Sequence, residues 1–98
     1  MFKSEIEQVH EYSSDNLELI RKSQKCGCFY CGKTFFSADF FDKLEWVRKP
    51  MENDRNTALC PFCGIDAVLP DGAGYVLSNE LLSRMKDYWF NEETGDLL

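Results

Sequence analysis

Long hydrophobic runs are missing from this chain: its apolar residues stand at most four in a row, far short of the ~20 that a membrane-crossing helix needs. Histidine is nearly absent, with His10 alone, which leaves most acid–base mechanisms without their usual proton shuttle. Six glycines and three prolines are too few for a collagen-like or low-complexity chain. The opening Met1-Phe2-Lys3-Ser4-Glu5 turns acidic at once and lacks the apolar middle of a signal peptide. A cytoplasmic location is therefore expected. Thiols stay reduced there, so paired cysteines point to metal ligation more readily than to disulfides.

What the chain does have is aromatic weight: eight Phe, four Tyr and two Trp in 98 residues. The length suits one small domain, which buries roughly 60–70% of its unfolded surface. The net charge of −6 is unevenly spread. Residues 1–20 carry one lysine against five acids, whereas residues 21–35 carry Arg21, Lys22, Lys25 and Lys33 and no acid. The acidic balance makes a poor polyanion binder, so nucleic acid is not the expected partner. The basic segment lies beside the first cysteines, where cations favour thiolates.

Phe2, Ile6 and Val9 fall at helical spacing, giving an N-terminal segment over residues 1–16 that is helical or partly disordered. Ser13-Ser14-Asp15-Asn16 offers caps for a second helical stretch from Leu17 to Lys22, which must stop at Cys26-Gly27-Cys28. Thr34-Phe35-Phe36 reads as a strand. Ser37 then caps a helix with Phe40, Leu44 and Val47 on one face, and Pro50 and Asn53-Asp54-Arg55-Asn56 end it. Strands follow at Thr57-Ala58-Leu59 and Ile65 to Leu69. After the Pro70–Gly74 turn, Tyr75-Val76-Leu77 is expected to return antiparallel. A helix over residues 80–90, capped by Ser78 or Asn79 and followed by Gly95, carries the stripe Leu81, Leu82, Met85, Tyr88 and Trp89.

The chemistry concentrates in Cys28-Phe29-Tyr30-Cys31-Gly32 and Cys60-Pro61-Phe62-Cys63-Gly64, 28 residues apart. Two residues between cysteines let both sulfurs reach one ion at about 2.3 Å while backbone N–H groups turn toward them. Glycine after the second cysteine permits the left-handed turn such a knuckle needs. Four thiolates close a tetrahedral site, with one zinc ion per chain and no position left for water or substrate. Cys26 is left over and His10 is not needed as a ligand. With no acid–base pair and no phosphate-binding glycine loop, the chain does not read as an enzyme, and no small-molecule substrate is evident.

The runs at residues 26–32, 57–70 and 87–90 resemble a family of short bacterial cytoplasmic zinc-ribbon proteins with no assigned function. That resemblance implies a zinc-bound intracellular domain and names no partner. The paired Cys-x-x-Cys-Gly motifs are also similar to those of rubredoxin, which implies iron as the alternative metal and electron transfer as the alternative function. The Gly-Asp-Pro loop that rubredoxins carry between the pairs is absent here.

These readings predict a small α+β fold: a zinc ribbon with two CxxC knuckles and a short antiparallel sheet, flanked by N-terminal and C-terminal helices. Residues 17–98 form the ribbon domain. The expected function is that of a structural-zinc interaction or adaptor module, whose partner is another protein or a second copy. Tyr88, Trp89 and Phe90 are the candidate interface, on the ground that Leu82 and Phe90 point away from the centre of the helix stripe. A third reading, weak nucleic-acid binding, rests on the basic segment beside Phe29 and Tyr30.

Overall fold

The computed structural model describes residues 5–50 and 56–90. Phe2, Asn53-Asp54-Arg55 and Gly95 lie outside them. Helix α1 (Glu5–His10) buries Ile6 and Val9 and runs into a 3-10 turn, Glu11–Ser13. Helix α2 (Leu17–Lys22) leads into strand β1 (Lys25–Cys28), then β2 (Thr34–Phe36). Helix α3 (Ser37–Phe40), β3 (Trp46–Val47), β4 (Thr57–Ala58) and β5 (Val68–Pro70) follow, and α4 (Asn79–Trp89) ends the described chain. No helix among the described residues is long and apolar enough to cross a membrane.

The architecture is small α+β, with two short antiparallel sheets among the described residues. One has the order β2-β1-β5, with Cys26 opposite both Phe35 and Pro70. The other is β3-β4. β1 is the central strand, although Lys-Cys-Gly-Cys carries no strand propensity and reads in sequence only as a helix stop. Its place comes from tertiary contacts. The Asp71 carboxylate accepts from the N–H groups of Gln24 and Lys25 at 3.0 and 3.1 Å. Gly27 lets α4 approach, since a Cβ there would meet Leu82 Cδ1 at 3.1 Å.

Three expected elements differ. The helix through Phe40, Leu44 and Val47 is not formed. α3 lasts four residues and passes through a 3-10 turn (Phe41–Lys43), and Leu44 turns extended at ψ 143°. Trp46 and Val47 then pair with Ala58 and Thr57, so pairing of an aromatic and a β-branched residue overrides the helical spacing. Ser37 caps nothing; its buried hydroxyl donates to Ile20 O at 2.6 Å. The strand expected over 65–69 is shortened to β5, which pairs with β1, and Tyr75–Leu77 forms no ladder.

Asn16 also departs from its expected capping role. Fully buried, it donates from Nδ2 to Tyr12 O and Val68 O and accepts from Ala58 N–H at Oδ1, all within 3.0–3.1 Å. One side chain thus ties the first helical segment to both sheets. Around it Ile20, Phe29, Val68, Leu69, Leu82 and Met85 are buried to 2% exposure or less. Each contributes roughly 1.5–3 kcal/mol of hydrophobic stabilisation. In α4 the Ser78 hydroxyl accepts from Leu81 N–H at 3.1 Å, the expected N-cap.

Candidate metal centre

Each Cys-x-x-Cys-Gly segment folds into the same turn. Gly32 N–H donates to Cys28 O at 2.8 Å, and Gly64 N–H to Cys60 O at 2.9 Å. Both glycines take the left-handed conformation, with φ of 81° and 80°, which a side chain would oppose. Tyr30 N–H points at Cys28 Sγ and Phe62 N–H at Cys60 Sγ, each at 3.4 Å. The first cysteine of each turn also donates its N–H to the residue two past the second, Cys28 to Lys33 O and Cys60 to Ile65 O.

Different elements aim the two turns at one point. The first continues from β1 and is held by Phe29 N–H to Ala67 O at 3.0 Å. The second follows β4, where Leu59 N–H donates to Glu45 O at 2.9 Å. Lys49 pairs with Asp66 just beyond it. All four sulfurs therefore lie within 4.8 Å of one another. Across the turns, Cys28 meets Cys63 and Cys31 meets Cys60 at 3.7 Å. Four sulfurs at about 2.3 Å from a tetrahedral ion would be separated by about 3.8 Å. The cluster therefore fits a shared metal ion, which Cys28, Cys31, Cys60 and Cys63 would hold.

The sulfurs are not equivalent. Cys28 and Cys60 are buried, whereas Cys31 and Cys63 are half-buried. Burial pushes the Cys28 and Cys60 thiols up, against N–H groups of their own turns that favour thiolate. Cys31 is held below its ordinary value. The cost of its partial burial is outweighed by Lys33 N–H and by hydrogen bonds from neighbouring thiols. Lys33 assists through its backbone, while its ammonium lies 5.1 Å from the centroid of the Phe62 ring. At Cys31 the help expected from side-chain cations comes instead from a backbone N–H.

Cys26 is fully buried outside the cluster, and burial, reinforced by Asp71, pushes its thiol up to about 12. His10 stacks on Trp89 with ring centroids 3.9 Å apart. Phe29, taken in sequence as a possible stacking platform, is 2% exposed. Along α4 the buried stripe is Leu81, Leu82 and Met85, so Leu82 packs inward rather than away. Tyr88 is 53% and Trp89 38% exposed. Phe90 is half-buried and packs on Phe29 and Tyr30, with ring centroids 5.5 and 4.9 Å away.

A cleft of about 430 Å³ lies beside the second turn, lined by Phe40, Lys43, Glu45 and Leu59 and by Cys60, Pro61 and Gly64 of the turn itself. The feature sequence reading missed is the support of the site: Asn16 and Asp71 fix the strands on which the turns sit. Only the placement of two short polar residues between apolar segments hinted at either. Comparison with protein-family models, curated proteins and solved structures finds no match to this chain.

Proposed function

We propose that this chain is a structural-zinc module: a zinc ribbon whose two knuckles close one ion between Cys28, Cys31, Cys60 and Cys63, and which acts through protein contacts rather than catalysis. The observation that carries the reading is the convergence of four sulfurs with 3.7 Å cross-turn separations. When bound, the ion supplies cross-linking between two turns far apart in sequence and no open coordination position. The chain's own residues supply the rest. N–H groups of Tyr30 and Phe62 orient the sulfurs, and the glycines turn the backbone. A cytoplasmic setting, where thiols stay reduced, belongs to the same reading.

The contact surface in this reading is the end of α4, where exposed Tyr88 and Trp89 form a T-shaped pair 4.8 Å apart. Aromatics concentrate binding energy at interfaces, and the occupant is a protein partner or a second copy. Phe90, the next residue, links this surface to the first turn through its packing on Phe29 and Tyr30.

Native mass spectrometry with elemental analysis tests the proposal: one zinc per chain is expected, lost in Cys60→Ser and kept in Cys26→Ser. A chain that purifies without metal sinks it. The same thiolate geometry suits iron, the rubredoxin-like alternative. A red oxidised protein in place of a colourless one would favour that reading.

A further inference from the structure

We propose that Cys31 and Cys63 are the oxidation sites of this centre, and that hydroperoxides convert the four-sulfur cluster into a covalent bridge between the two turns. The inference rests on the tetrathiolate reading above and adds a chemical reactivity to it. Cys28 and Cys60 are 0% and 3% exposed, so their sulfurs are the less accessible to an oxidant in solvent. Cys31 and Cys63, the second cysteine of each turn, are half-buried and reachable. Each has a buried sulfur of the opposite turn 3.7 Å away, Cys60 for Cys31 and Cys28 for Cys63. Cys26 is fully buried and stays out of the reaction.

The reaction balances in two steps. The Cys31 thiolate attacks one peroxide oxygen, forming an S–O bond and breaking the O–O bond. The departing hydroxide takes a proton and leaves as water, and the sulfur, now a sulfenic acid, has lost two electrons. The Cys60 thiolate then attacks that sulfur. An S–S bond forms, the S–O bond breaks, and the second hydroxide leaves as water with another proton. Two thiolates, one hydrogen peroxide and two protons have become one disulfide and two waters. Two thiolates remain to the ion, which is released. The bridge joins turns 28 residues apart, so the two halves stay tied after the ion has gone.

Trypsin gives a direct readout. Cleavage after Lys25, Lys33, Arg55 and Arg84 places the first turn in the peptide 26–33 and the second in 56–84. Metal-loaded protein is assayed for zinc, treated with one equivalent of hydrogen peroxide beside a chromogenic chelator, then digested without reductant. Expected results are release of the ion and a cross-linked species joining the two peptides, with the same outcome in Cys26→Ser. Retained zinc, peptides bridged only within themselves, or a cross-link that vanishes in Cys26→Ser overturns the proposal. A chain with no metal before peroxide sinks both this proposal and the tetrathiolate reading. A metal-loaded chain whose peptides stay separate sinks this one alone.

Discussion

The two cysteine turns are nearly the same object locally and very different objects in the fold. Their glycine φ values differ by one degree, and their N–H to sulfur distances are equal. Yet Phe29 of the first turn is 2% exposed, while Phe62, one position later in the second, is 45% exposed. The first turn grows from the central strand of a three-stranded sheet and lies under Phe90. The second hangs on a two-residue ladder and borders an open cleft. Cys-x-x-Cys-Gly thus sets the shape of the turn, and tertiary support sets its burial. A shared ion would give the weakly supported turn the anchorage its own strands lack.

The comparison can be broken most forcefully at Asn16, whose amide holds β4 and β5, the strands on either side of the second turn. Asn16→Ala leaves two buried partners, Val68 O and Ala58 N–H, and the part-buried Tyr12 O without their bonds, and should cost about 3–6 kcal/mol. Denaturant unfolding at fixed zinc concentration measures this, and a loss under about 1 kcal/mol would show that the two sheets need no such tie.

Next in size is Phe29→Ala, expected to cost about 3–5 kcal/mol as a buried aromatic truncation. Phe62→Ala, by contrast, should stay within about 1 kcal/mol because its ring is already half in water. Equal costs would erase the difference in support. Between these lie Gly32→Ala and Gly64→Ala. Neither new methyl would touch anything within 4 Å, so each should lose only the left-handed backbone penalty of about 1–2 kcal/mol. Here the two turns should behave alike. A much larger loss in one of them would mean that the local geometry is not shared.

The turns were the most legible part of the sequence, because spacing and glycine position encode a local shape that needs no distant partner. The helix α4 was legible for a similar reason, with the Ser78 cap and the apolar spacing of Leu81, Leu82 and Met85 all local signals. β1 was not, since neither cysteine nor glycine favours a strand. Its position depends on Asp71, 46 residues from Lys25. The helix expected through Leu44 and Val47 failed in the opposite sense. A correct periodicity was overruled by pairing of Trp46 and Val47 with β4. Of the expected exposed trio Tyr88, Trp89 and Phe90, the first two are exposed, while Phe90 turns back onto the first turn.

The central claim is that all four sulfurs, from two unequally supported turns, share one ion. X-ray absorption at the metal edge tests it most directly, since it counts the neighbours and gives their distances. The account predicts a single shell of four sulfurs at about 2.3 Å, with no lighter scatterer. A first shell containing nitrogen or oxygen, or fewer than four sulfurs, would contradict it.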